Sequence, residues 1–311
     1  MTQTLPANVT IVEVGPRDGL QNEATSVPAA GKIALIDTLS ATGLRFIEVT
    51  AFVNPTRVPQ LADAEEVCRS IARKPGVTYS ALVPNITGYE RATAGAGLTS
   101  IAVFLSASET HNQKNIGASV EESLARYKEV CARADSDGVD VRGYVSTAFG
   151  CPYEGHVPME RVVEVSRRLL DLGVRQVSLG DTTGMGNPRQ VGETVSALNA
   201  YTPIETIALH LHDTRGTALA NALAGLQAGV TTFDAAVGGF GGCPYAPGAT
   251  GNVATDELVY MFHSMGIATG IDIEKLMKAA ESLASAVGHE AASRFLKAER
   301  ATAERVAREH G

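Results

Sequence analysis

Hydrophobic positions along the chain follow two alternating rhythms. Short β-branched runs occur at Val9–Val14, Phe46–Ala51, Thr78–Val83, Ser100–Leu105, Val139–Val145, Val174–Leu179, Thr206–Leu211 and Thr231–Val237. Each is bounded by turn residues and has the length of one strand. Between them the apolar spacing changes to the helical period, over Ala29–Thr42, Leu61–Arg73, Ser119–Ala134, Met159–Leu172, Pro188–Ala200 and Ala218–Ala228. Gly43, Gly173 and Gly229 follow three of these stretches, where a helix C-terminus favours a residue that tolerates a left-handed backbone. Strand and helix in alternation, with eight strand runs, predict an α/β fold closed into a (β/α)8 TIM barrel. An open doubly wound sheet is the rival, but it does not need eight repeats and should carry a glycine-rich turn after its first strand.

Beyond Asn252 the pattern is helical only, over Val253–Ser264, Asp272–Ala286 and a charged stretch from about His289 to His310. No linker rich in Pro, Ser or charge separates these segments. The expected organisation is a single catalytic domain over residues 1–311. Its barrel occupies 9–266, and a helical extension over 267–311 packs on it.

Composition removes several function classes. At 44% hydrophobic and 19% charged, the chain has a globular composition with enough apolar residues for a large core. A formal charge of −8 and a pI near 5.4 argue against a nucleic-acid surface or a polybasic membrane patch, so an anionic substrate needs a local cationic cluster. No apolar run reaches the ~18 residues of a membrane span. The N-terminal MTQTLPANVT does not read as an export signal. The four cysteines, Cys68, Cys131, Cys151 and Cys243, form no close-spaced metal pattern and no disulfide framework. A reducing, cytoplasmic setting is expected.

A barrel places its chemistry at the C-terminal ends of its strands. The first strand exits into GPRDGLQNE, with Arg17, Asp18 and Gln21; the seventh exits into HLHD, with His210 and His212. Residues two apart on a strand share a face, so both imidazoles can reach one point, opposite the Asp18 carboxylate. With Asn252 as a fourth donor, the set is oxygen and imidazole without thiolate, which favours Mg2+ or Mn2+ over a structural Zn2+. Arg17 is a natural clamp for a carbonyl that gains negative charge, or else a salt-bridge partner of Asp18. Glu48 and Asp181 leave the second and sixth strands toward the same mouth, as substrate ligands or as acceptors behind the site. Asp213 orients a neighbouring group or caps a helix beginning near Thr214.

The stretch Gly238–Asn252, GGFGGCPYAPGATGN, has six Gly and two Pro in fifteen residues and cannot continue a strand. Cys243 within it is flanked by Gly242 and Pro244, an unusual place for a core cysteine and a suitable one for a thiol acting as acid or base at the site. Cys68 and Cys131 lie on helical patterns and read as core or surface positions. Cys151, in a second GCPY, is a weaker candidate.

The segments VEVGPRDGLQNE (Val12–Glu23), SLGDT (Ser178–Thr182), HLHDT (His210–Thr214) and GGFGGCPYAPGATGN resemble the 3-hydroxy-3-methylglutaryl-CoA (HMG-CoA) lyase family, within the DRE-TIM metallolyases. The resemblance runs from about Val9 to Gly266. It implies a (β/α)8 barrel and divalent-metal-dependent retro-Claisen cleavage of (S)-HMG-CoA to acetyl-CoA and acetoacetate, chemistry of leucine degradation and ketone-body formation. Carried over residue by residue, it implies metal ligands Asp18, His210, His212 and Asn252. It also implies that Arg17 binds substrate and stabilises the enolate, that Cys243 or the neighbourhood of His210 supplies acid–base chemistry, and that Gln21, Glu48 and Asp181 are substrate-binding positions. An acyl-CoA substrate and a homodimer follow by resemblance, with Lys114 and Asn115 as candidates for the CoA tail. Arg215, which departs from the family pattern, raises a lyase for a longer 3-hydroxy-3-alkylglutaryl-CoA as the alternative. A Claisen-condensing synthase is disfavoured by DGLQ and the cysteine loop, and a silent metal- or acyl-CoA-binding barrel by the presence of every catalytic residue type.

Overall fold

A computed structural model of the protein describes residues 5–242 and 250–310. Among these, eight parallel strands form a closed barrel in sequence order: β1 (Thr10–Glu13), β2 (Phe46–Ala51), β3 (Thr78–Leu82), β4 (Ser100–Ser106), β5 (Asp140–Ser146), β6 (Gln176–Asp181), β7 (Ile207–Leu211) and β8 (Thr232–Ala235). The barrel closes where Thr10 pairs with Thr232 and Glu13 with Ala235. The surrounding helices are α1 (Ala29–Ser40), α2 (Ala64–Ser70), α3 (Ile86–Glu90), α4 (Glu109–Ile116), α5 (Val120–Asp137), α6 (Met159–Asp171), α7 (Pro188–Asn199), α8 (Ala218–Gln227) and α9 (Thr255–Ser264). Helices α10 (Ile273–Val287) and α11 (Arg294–His310) complete the chain's described part. The alternation of hydrophobic rhythms therefore gives the barrel. Two short helices, α3 and α4, were not expected.

Two strand starts differ from the reading for a common reason. Val139 and Val174 follow helix-ending glycines, and their N–H groups return to Ala134 O (2.8 Å) and Leu169 O (3.3 Å). Val230 does the same toward Gly225 O after Gly229. This is the hydrophobic residue of a Schellman closure, so a β-branched residue at that place ends the helix before the strand begins. Gly43 is constrained more tightly. Its φ is 100°, and a Cβ there would lie 2.1 Å from Gly270 O, so the turn after α1 is closed by backbone against the α9–α10 connection.

The two faces of each strand carry different chemistry. Ile47, Val49, Val141, Val145, Leu209 and Phe233 join the apolar layer beneath the helices. The alternate positions Glu48, Arg142, Tyr144, Ser178, His210 and Asp234 are linked by polar contacts in the barrel interior, described below. Barrel interiors are commonly filled with branched apolar side chains; this one holds buried charge.

The segment after the glycine-rich stretch is stitched between β7 and β8. Val253 N donates to Leu211 O, Ala236 N to Val253 O, and Thr255 N to Ala236 O. The segment before α11 reaches the same place: Ser293 N donates to Gly238 O, and the Ser293 hydroxyl donates to Asp256. No helix among the described residues is long and apolar enough to cross a membrane.

Candidate active site at the C-terminal mouth of the barrel

The chain leaves β1 through a wide helical turn at Gly15–Gly19, whose Gly19 N–H reaches back five residues to Val14 O. Such π-turns recur at functional sites because they aim consecutive side chains into one cavity. Here they deliver Arg17 and Asp18. The Arg17 Nη1 donates to Asp18 Oδ1 at 2.5 Å and its Nε donates to Glu48 Oε1. The guanidinium is buried and stacks over the Tyr144 ring, 5.4 Å from its centroid. Burial opposes its charge, but Glu48 and Asp18 more than compensate and hold it cationic. Of the two alternatives for Arg17, the salt bridge to Asp18 is present in the structure.

His210 and His212 are buried at the end of β7 and just beyond it, with their Nε2 atoms 3.1 Å apart. Asp18 Oδ2 lies 3.8 Å from His210 Nε2 and 3.9 Å from His212 Nε2. Burial, then His210, pushes His212 down to about 3, so it is a neutral imidazole with a free lone pair at neutral pH. Asp18 is shifted the other way. Burial raises it, but Arg17 and the two histidines hold it well below the usual carboxylate range. Asn252 completes the cluster through Nδ2, which donates to Asp18 Oδ2 at 2.9 Å.

The donor set fits a divalent ion on two counts. Ligands of one ion at 2.0–2.1 Å can be at most about 4.2 Å apart, and the separations of 3.1, 3.8 and 3.9 Å all satisfy that bound. The buried Asn252 Oδ1 also has no hydrogen-bond partner among the described residues, a costly state for a buried acceptor that a cation would relieve.

The remaining positions resolve as follows. Glu48 is buried, accepting from Arg17 and from the Tyr144 hydroxyl at 2.9 Å. Asp181 accepts from Met185 N (2.9 Å) and Gly186 N (3.1 Å), so its carboxylate folds the loop after β6. Burial raises Asp181 to about 6, against those two N–H groups. Gln21 sits half-buried just beyond the Asp18 turn. Asp213 caps rather than aims at the site: its Oδ1 accepts from Ala218 N at the start of α8 (3.0 Å), and its Oδ2 pairs with Arg294 at 2.9 Å. The helix it caps starts later than the sequence reading, because residues 214–217 form a turn. Lys114 lies on α4 with Nζ 4.1 Å from the Tyr153 ring centroid, and Asn115 is exposed beside it.

Cys243 lies outside the described residues, as does the rest of 243–249. Their base is described: Gly251 N donates to Gly241 O at 2.8 Å, and a Cβ on Gly251 would lie 2.2 Å from that oxygen. Cys151 is buried, accepts from Tyr153 N and Glu154 N at 3.4 Å, and donates to Ser108 Oγ at 3.0 Å. It organises a turn. Cys68 and Cys131 are core residues whose thiols burial raises to about 12 and about 11.

Sequence reasoning missed the interior behind Arg17. Arg142 forms a two-pronged ion pair with Asp234 (2.6 and 3.0 Å) and donates to the Tyr144 hydroxyl at 3.0 Å. Ser178 Oγ donates to Asp234 Oδ2 at 2.9 Å. The available signal was a charged residue in the interior of a short strand, Arg142 in DVRGYVS and Asp234 in TFDA.

A profile of the HMGL-like family matches residues 8–283. The chain is 51% identical over 292 residues to a hydroxymethylglutaryl-CoA lyase of Bacillus subtilis, covering 94% of this chain and 97% of that protein. It is 48% identical to the mitochondrial hydroxymethylglutaryl-CoA lyase of Gallus gallus, over 94% and 98% of the two chains. The crystal structure of a B. subtilis HMG-CoA lyase superposes with a TM-score of 0.94 at 50% identity, covering 95% of this chain and 99% of that one. An Acinetobacter baumannii HMG-CoA lyase in complex with coenzyme A and 3-methylmalate gives 0.90 at 41% identity, over 94% and 95%.

Proposed function

The chain belongs to the HMGL-like family, as a hydroxymethylglutaryl-CoA lyase, and from that premise we propose that it cleaves (S)-HMG-CoA to acetyl-CoA and acetoacetate with Mg2+ or Mn2+ held by Asp18, His210, His212 and Asn252. The observation that carries the metal reading is the convergence of the two Nε2 atoms and Asp18 Oδ2 within 3.9 Å. Bound there, a divalent ion would supply Lewis-acid chemistry that lowers the pKa of the substrate's C3 hydroxyl. Arg17, fixed by Glu48 and Asp18, stabilises the negative charge that moves onto the thioester oxygen as the C2–C3 bond breaks. His210 or Cys243 takes the hydroxyl proton, and a group beside them returns one to the acetyl-CoA enolate. Glu48, Asp181 and Gln21 line the substrate's surroundings.

Acyl-CoA recognition is supported by the relative crystallised with coenzyme A, and Lys114 with Asn115 is the proposed tail contact. A homodimer, a cytoplasmic location and a role in leucine degradation complete the proposal, as does one catalytic domain over 1–311. Nothing at Arg215 favours a longer acyl chain, because its Nη1 donates to Thr183 O (2.5 Å) and Gly184 O (3.3 Å). The test is acetoacetate release from HMG-CoA with added Mg2+ or Mn2+, beside longer 3-alkyl analogues, in wild type and Cys243→Ala. HMG-CoA should be turned over best and the variant should lose most of its rate. Turnover confined to a longer analogue would discard the substrate while keeping the chemistry, and an unimpaired variant would discard the thiol.

A further inference from the structure

The buried side chains behind the mouth form one continuous path between the arginine and the metal cluster. Arg17 contacts Glu48, Glu48 accepts from Tyr144, Tyr144 accepts from Arg142, and Arg142 grips Asp234. Asp234 Oδ2 ends that path 3.3 Å from His210 Nδ1. The contact falls short of hydrogen-bond alignment in this structure, as catalytic contacts often do before ligands bind. Asp234 is fully buried and gripped by both prongs of the Arg142 guanidinium, at 3.0 and 2.6 Å. A carboxylate is an acceptor only, so whatever faces it must donate. The Tyr144 ring packs edge-on against the imidazole, at 81° with centroids 5.9 Å apart, and limits how the ring turns. His212 differs, since its Nδ1 has no partner among the described residues.

We propose that Asp234 is a positioning residue that fixes His210 as the Nδ1–H tautomer, so that the Nε2 lone pair faces Asp18 and His212 and is committed to the metal. Carboxylate–histidine–metal relays of this kind raise ligand basicity and set ring orientation. The inference rests on the reading of His210 as a metal ligand. It also settles a choice within that reading: with both ring nitrogens engaged, His210 is not the base. In the metal-free protein it makes a second demand. The Nε2···Nε2 contact of 3.1 Å needs one proton between the rings, and if Asp234 draws His210's proton to Nδ1, His212 supplies it from Nε2.

Two measurements test this independently. Nitrogen-15 NMR of the metal-free wild type at neutral pH, with signals assigned by His210→Gln and His212→Gln, should show His210 protonated on Nδ1. Protonation on Nε2 instead overturns the proposal. Mn2+ titration followed by electron paramagnetic resonance should give tight binding by wild type, and 10–100-fold weaker binding by Asp234→Asn and by the pair Arg142→Gln/Asp234→Asn. The double variant leaves no unpaired buried charge and no change in net charge. Should it bind Mn2+ as wild type does, Asp234 is only Arg142's partner and the proposal falls. A wild type that binds no Mn2+ rejects the metal reading itself, and an intact wild type with weakened His212→Ala shows that reading sound whatever Asp234 does.

Discussion

Arg17 is the residue at which stability and the proposed catalysis are most closely joined. Its guanidinium neutralises Glu48, a carboxylate with almost no solvent access, so Arg17→Gln leaves a buried charge uncompensated and should lower the melting temperature as well as the rate. Arg17→Gln/Glu48→Gln removes both charges. It should recover much of the thermal stability while kcat stays down by about 10²–10³-fold, the usual effect of losing one oxyanion donor. Calorimetry beside steady-state acetoacetate release separates the two effects, and recovery of rate in the double variant would show that Arg17 only shields Glu48. Glu13 makes a second prediction. It is fully buried at the β1 exit, accepting from Gly15 N, Val237 N and the Thr255 hydroxyl, and burial raises it to about 7 against those donors. The folded protein therefore holds this proton more tightly than the unfolded chain. Its stabilising contribution is complete below the ordinary glutamate value of 4.5 and is lost as pH rises through about 7, by on the order of 3 kcal/mol. Glu13→Gln keeps the shape and removes the titration, so the fall in melting temperature between about pH 5 and pH 7.5 should flatten in that variant. Residues such as Arg17, Asp18 and the histidine pair were legible because they stand at strand exits, where a barrel puts chemistry. Tyr144, Arg142 and Asp234 were not, because a polar side chain inside a strand looks the same whether it faces solvent or a sealed interior.

Individual elements show why boundaries were harder to read than elements. All eight strands were visible as β-branched runs, yet Val139 and Val174 belong to helix closures because a glycine precedes each. Helix α4 was hidden by its polar sequence, ETHNQKNI; it is held by the Ser108 hydroxyl accepting from His111 N at 3.0 Å, a cap rather than an apolar stripe. The glycine-rich stretch was recognised by composition, and its described ends give the composition a cause. Gly241 has φ 106°, and Gly251 lies against Gly241 O with no room for a side chain. Gly251→Ala must therefore push the two ends apart, moving the adjoining Asn252 away from Asp18. The expected result is Mn2+ binding weakened by about tenfold or more, with a modest loss of thermal stability. Wild-type Mn2+ affinity in that variant would mean that Asn252 is not held by the Gly241–Gly251 contact.

Across the whole molecule, the C-terminal part is bonded into the barrel rather than appended to it. His289 Nε2 meets Glu23 at 2.8 Å, Ser293 donates to Asp256, and Arg294 N donates to Glu257 at 2.6 Å. Beyond residue 300 the side chains of α11 that are described are exposed. Truncation after residue 300 should change stability by no more than about 0.5–1 kcal/mol, whereas truncation after residue 288 strips partners from buried Asp256 and should lower the melting temperature sharply in the same scan. Equal melting temperatures for the two truncations would refute the division. The closure of β1 on β8 has a further consequence, for synthesis. The ribosome releases β1 first, but Thr10 finds Thr232 only after the intervening chain exists, which at 5–20 residues per second takes roughly ten to forty-five seconds. The N-terminal rim waits longer still, since Val9 N bonds Ala268 O and Asp272 N bonds Thr42 O. Throughout that interval a nascent half-barrel presents two unpaired strand edges, each a template for another chain. The cell's yield of this enzyme should accordingly depend on chaperone supply during translation, more steeply than the stability of the finished barrel would indicate.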